Sequence, residues 1–238
     1  MSKPDTSSLK EKHFWIEYKF KLDGGRPDLE FLVLLDKKTL VALPPESSKE
    51  SEWTDLDFCK CSVCPLRSQE VRNCPIAFNL SGLSHRFTEM PSYERAEISV
   101  TVEERTYYKN DSIQDGLRSI LGIYMAASGC PHMAILKPMV RFHLPFASLE
   151  ESIYRHVTSY LLHQYFDYVE GRKPDMDLEA LKEKQDDIDE VNRGIIQRLR
   201  GIAEVDANKN AIVILDALTN MVKMGIERKL EPLRYLFT

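Results

Sequence analysis

The stretch DFCKCSVCPLRSQEVRNCPIAF places Cys59, Cys61, Cys64 and Cys74 within sixteen residues of a 238-residue chain whose only other cysteine is Cys130. The spacing is C-x-C-x2-C-x9-C. Zinc takes four soft or borderline ligands in a tetrahedron, with sulfur at about 2.3 Å, and a C-x2-C turn sets two thiolates on one side of the ion for a later pair to close. Cys61 and Cys64 supply that turn. Pro65 and Pro75 each follow a cysteine and bias Cys64 and Cys74 towards extended backbone. The expectation is a structural zinc held by Cys59, Cys61, Cys64 and Cys74, with Cys130, His85, His132 and His143 open as replacements for Cys59. An iron-sulfur cluster is the runner-up, because four thiolates also hold one, although the spacing departs from ferredoxin-type runs. A redox pair at Cys61 and Cys64 has to open a helix after a strand, and Pro65 stands there instead. Reduced, unligated thiols packed as small apolar groups are the plainest alternative.

Other residues with chemical potential are more scattered. SGCPH sets Cys130 two residues from His132, and RFHLPFASLEES sets Arg141 and His143 ahead of a helix start. Together they define a second expectation, an enzyme pocket between sheet and helices lined by residues 128–146. The ordinary readings compete: a buried cysteine at a tight turn, and a core imidazole bonded to a carbonyl. His156 and His163 lie two helical turns apart, roughly 10.5 Å, too far to share an ion unaided. The DDIDE run at 186–190 reads as a solvated acidic surface. Tyr154, Tyr160, Tyr165 and Tyr168 on one helix suit packing and a homodimer interface. Nucleotide-binding and zinc-protease signatures are absent.

Composition bounds the class. A hydrophobic share of 43%, a charged share of 29% and a net charge of -5 describe a folded chain without the basic surface that phosphate backbones require. Nucleic acid is therefore not an expected partner. The N-terminus lacks the apolar stretch of a signal peptide, and no run of about eighteen apolar residues occurs. A cytoplasmic address is expected, where clustered cysteines bind metal more often than they form disulfides. Five cysteines also cannot all pair.

The elements that must position these groups fall into two halves. HFWIEYKFKL alternates with period two, and LEFLVLLD and KKTLVAL follow as two further strands of an antiparallel meander; one long strand ends near Tyr108. Past Asn110 the spacing becomes helical. A helix starting at Ser112 repeats Ile113, Leu117, Ile120, Leu121 and Tyr124 and ends at Gly129; another starts at Ser148 with Glu151 completing a capping box. DMDLEALKEKQDDIDEVNRGIIQRLRGIAEVD and DANKNAIVILDALTNMVKMG complete a bundle. Prolines 131, 138 and 145 deny a continuous helix to the segment between the first two. The fold class is α+β: an antiparallel sheet unit over 13–110 with a cysteine-rich metal-binding insertion at 59–74, and a helical bundle over 111–238 packed on it. The expected function is a scaffold or interaction module with a structural zinc, the enzyme reading standing beside it.

Taken in order, CSVCPL, CPIAFNL, GLRSILGIYMAASGCP, LKPMVRFHLPF, YLLHQYF and NAIVILDAL resemble a family of uncharacterised bacterial proteins, a domain of unknown function, from about residue 14 to 222. The resemblance implies no activity. It carries over only to Cys61, Cys64, Cys74, the turn from Ser128 to Pro131 and the segment from Arg141 to Phe146.

Overall fold

A computed structural model describes residues 6–22, 26–84, 94–200, 219–228 and 230–238. Strand β1 (Phe14–Leu22) buries Phe14, Ile16, Tyr18, Phe20 and Leu22 on one face, as its alternation requires. It pairs antiparallel with β2 (Leu29–Leu35) on one side and β3 (Arg95–Thr101) on the other, and β4 (Thr106–Ser112) extends the sheet in the order β2-β1-β3-β4. On the opposite face, register sets Lys19 beside Glu30 and Lys21 beside Glu97, and both pairs form ion pairs. Opposite charges directly across strands favour this register over a slip.

Two strand expectations need correction. Residues 37–43 do not form a third meander strand, because the Asp36 carboxylate accepts the backbone N–H groups of Lys38 and Thr39 and turns the chain. Only a single bridge, Leu35 to Ala42, remains there. The long strand ending near Tyr108 is instead a hairpin, β3 and β4, closed by the Val102 N–H donating to the Arg105 carbonyl at 2.9 Å. The acidic pair Glu103 and Glu104 sits at that turn, where water can reach it. The polar lead-in also carries a short helix, α1 (Thr6–Lys12), whose Lys10 pairs with Glu17 and lies over the Trp15 ring.

Helices cover the buried face of the sheet. α2 (Pro75–Ser84) lies in the long connection between β2 and β3, and α3 (Ile113–Ala126) leaves β4 directly, capped by Ser112. The expected stripe of α3, from Ile113 to Tyr124, is buried throughout. The segment 128–146 is not an irregular loop but a 3-10 turn (His132–Leu136) followed by α4 (Lys137–Arg141) with Pro138 in its first turn, where a missing N–H costs nothing. α5 (Leu149–Val169) has the Ser148–Glu151 capping box, and α6 (Glu179–Arg200) buries Leu181, Ile188, Val191, Ile195 and Leu199. A last described helix, α7, spans 219–227. The rest of the helix expected from Asp206 lies outside the described residues.

One core runs from the sheet through α2 and α3 to α6, so residues on both sides of position 110 share it. A smaller one joins α5, the start of α6, α7 and the C-terminal 3-10 turn. The close approach of α3 to the sheet depends on Gly116, where a Cβ would stand 2.4 Å from Phe20 Cε1 and 2.9 Å from Ile98 Cδ1. Alanine there gains up to about 1 kcal/mol of helix propensity but overpacks at about 1–3 kcal/mol. Gly116→Ala is therefore expected to lower stability by about 1–2 kcal/mol in urea melts, against the usual direction for a helical glycine.

Candidate metal centre

The connection between β2 and β3 brings the clustered thiols to the side of the core where α6 passes. Cys61 and Cys64 flank a tight turn, closed by the Cys64 N–H donating to the Cys61 carbonyl at 3.0 Å. Cys74 stands just ahead of α2: its carbonyl accepts from Phe78, and Pro75 opens the helix, so its thiol sits at the positive end of that helix. The third contributor is distant in sequence. α3 ends at Ala126, and the turn that follows, through Gly129 with a φ of +91° that suits glycine, presents Cys130 to the same place. Cys61, Cys64, Cys74 and Cys130 all line one small cavity of about 20 Å³, closed by Ile76, Val191 and Ile195.

The electrostatics define the same group of four. Burial, followed by the neighbouring thiols of Cys64, Cys130 and Cys74, pushes the Cys61 thiol up to about 12. Burial also pushes Cys130 up to about 11, opposed by the backbone N–H groups of Met133 and His132, with Cys74 and Cys64 adding to the rise. Such a site disfavours thiolates unless a cation compensates. A divalent ion inverts the balance, since it replaces the protons and turns the crowding into ligation. Cys59 is not among the main contributors to either shift. It lines the rim of the cavity, but its residue is exposed and its backbone is left-handed at φ 44°.

Three residues on other elements fasten the insertion. Arg198 of α6 is buried and donates to the carbonyls of Trp53, Asp55 and Leu56 at 2.7–2.8 Å. Gly194, one turn earlier, admits the Cys61 backbone, because a Cβ there would meet Cys61 Cβ at 3.0 Å. His132 spans from the cysteine turn to α6, with Nε2 2.8 Å from the Val63 carbonyl and Nδ1 3.0 Å from Asp187 Oδ2. Arg198→Met is expected to cost about 3 kcal/mol or more, since each buried carbonyl left without a donor costs about 1–3 kcal/mol. Urea melts read the loss, and hydrogen exchange should localise it to residues 53–56.

The other candidate residues are now placed. His132 has both ring nitrogens engaged, so it is a brace between segments. His85 lies outside the described residues. His143 is on a different wall of the molecule, with Nε2 2.6 Å from the Tyr18 hydroxyl and 3.3 Å from Ser119 Oγ. It lines a second, larger cavity of about 190 Å³ among α3, α4, α5, α6 and α7. Arg141, expected beside it, turns away to Glu104 and over the Phe14 ring. The expected partner of His143, a backbone carbonyl, is replaced by that tyrosine. The DDIDE run is not simply solvated: Asp187 holds His132, Asp186 pairs with Lys223, and Asp189 is buried.

Arg198 and Gly194 escape a motif search because each acts through backbone atoms. The available signal is a glycine inside the charged helix VNRGIIQRLR, which costs about 1 kcal/mol there and so marks a close approach. Among the described residues, no three His, Cys, Asp or Glu side chains already stand in a metal-coordinating arrangement. The donor chemistry fits zinc all the same: four thiols from three segments, with no carboxylate lining their cavity among the described residues. Among the described residues no helix is long and apolar enough to cross a membrane. No curated protein and no solved structure matches the chain. A family model does match, over residues 16–238, and the chain accordingly belongs to the family described as a domain of unknown function, DUF6901.

Proposed function

We propose that the chain is a non-enzymatic scaffold or interaction module whose cysteine-bearing insertion is fastened by a structural zinc ion on Cys61, Cys64, Cys74 and Cys130. One observation carries the reading. Thiols from the turn, from the start of α2 and from the turn after α3 line one cavity and are half-buried or buried, whereas Cys59, which lines the same cavity, is exposed. Four protein ligands close a zinc site, whereas a catalytic zinc keeps a water position. The ion would link the insertion to the end of α3, adding to the links that Arg198 and His132 make with α6. Zinc-finger peptides derive about 10–16 kcal/mol from such a site. A reducing compartment, such as the cytoplasm, keeps the thiols available.

Elemental analysis of protein purified without added metal, with thermal melts in chelator, tests the assignment. One zinc per chain and a lowered melting temperature are expected. A brown protein containing iron and sulfide would replace zinc by a cluster, and metal-free native protein with five titratable thiols would end the metal reading.

The interaction surface assigned to the scaffold is the outward face of α5. Leu162, Tyr165, Phe166 and Val169 are all more than half exposed and recur at helical spacing. Nearby, Arg172 pairs with both Asp167 and Glu170, which leaves one net negative charge beside the stripe. The apolar stripe itself complements a second copy of itself about a two-fold axis. Sedimentation equilibrium is expected to give a dimer that Phe166→Glu converts to monomer without altering metal content. A monomeric wild-type chain would remove the dimer.

A further inference from the structure

The cavity of about 190 Å³ lies apart from the thiols and has an uneven chemistry. Ile123, Val140, Phe146 and Ile188 give it apolar walls, and Ser119 and His143 stand on one side. Its charged lining consists of Arg118 and Arg155; among the described residues no carboxylate lines it. Arg155 donates from Nη2 to the carbonyls of Met139 and Phe142 at 2.9 and 2.7 Å, so its hydrogen bonds go to neutral acceptors and its positive charge persists. Arg118 has Asp115 at 3.5 Å, but that carboxylate also accepts from Ser112 at the helix cap. Both histidines on the wall are kept neutral by burial. An apolar chamber bearing two guanidinium groups and, among the described residues, no lining anion is complementary to a small molecule with an apolar body and one negative charge.

We propose that this cavity is a binding site for a small monocarboxylate with a single aromatic ring or a short branched tail. Size sets the limit, because an apolar cavity of about 150 Å³ accommodates benzene. The extra room here suits a ring and one short acid arm. The ring lies against Ile123, Val140 and Phe146, while the carboxylate turns to Arg155 and Arg118, with the Ser119 hydroxyl as a further donor. The site is independent of the zinc assignment, since none of its lining residues is a cysteine.

Phenylacetate is the probe, and phenylacetamide is its uncharged isostere. Titration calorimetry on the full chain is expected to show saturable phenylacetate binding, at least about tenfold tighter than phenylacetamide, the difference that about 1.4 kcal/mol provides. Arg155→Gln and Arg118→Gln should each erase most of that preference. Either variant suffices if the other fails to fold, as judged by circular dichroism. Ala147→Phe, which fills the wall, should abolish binding of both compounds in a folded protein. Equal affinity for acid and amide, failure of phenylacetate to bind, or binding that survives Ala147→Phe would overturn the proposal.

Discussion

Replacing Cys130 with serine is expected to release the zinc that the Cys59→Ser protein retains. By sequence alone Cys59 has the stronger claim, since it belongs to the cluster and Cys130 stands fifty-six residues beyond Cys74. Packing reverses the order. Cys130 is only 7% exposed and shares its electrostatic interactions with Cys61, Cys64 and Cys74, whereas Cys59 is exposed. A ligand hydroxyl binds zinc far more weakly than a thiolate, so affinity should fall by more than the roughly 10–100-fold that removal of an outer-shell partner causes. At a free zinc level once a hundred times the dissociation constant, losing binding removes about 2.7 kcal/mol of stability. Competition with a chromogenic chelator reads the affinity, and melts with and without zinc read the linkage. Equal zinc retention by both variants, or loss only from Cys59→Ser, would return the fourth position to Cys59.

Much of the fold was legible because it rests on periodicity. β1 and the stripe of α3 follow directly from the spacing of Phe14 to Leu22 and of Ile113 to Tyr124, and Ser148 with Glu151 announces α5. What misled were local side-chain contacts that override a pattern. Asp36 captures two backbone N–H groups and ends the meander, although LVAL reads as a strand. Tyr165, one of four tyrosines expected to serve packing and an interface, lies 57% exposed, because the helix uses Ile153, Val157 and Tyr160 to face inward. The candidate site was legible as a chemistry and not as a geometry. Four nearby cysteines declare thiol crowding, but which thiols meet depends on how the chain turns after α3, where Gly129 takes a left-handed backbone. Tyr18 is another such case: within its strand it is one more alternating apolar residue, and only the fold brings its hydroxyl to His143 across 125 residues.

That buried contact makes the protein sensitive to acid. Burial, with a smaller contribution from the Arg155 charge, lowers the His143 pKa from 6.5 to about 3, and burial lowers His156 to about 4. His143 faces Tyr18, Ser119 and Arg155, and His156 faces Gln185 at 2.6 Å; among the described residues no carboxylate forms a hydrogen bond or ion pair with either to hold a proton there. In the unfolded chain both imidazoles titrate near 6.5, so between that value and the folded pKa the unfolded state binds more protons. Stability is therefore complete above about pH 6.5 and declines as the pH falls, down to about 4 for His156 and about 3 for His143. Each imidazole contributes a slope of up to about 1.4 kcal/mol per pH unit well inside that window. Urea melts at pH 7, 6 and 5 should show the decline, and His143→Gln and His156→Gln should each reduce the slope by up to about that amount while lowering stability at pH 7. Metal-saturated and metal-free protein must be compared at each pH, because zinc release in acid also destabilises; a slope unchanged in both variants would assign the whole effect to the carboxylates or the thiol site.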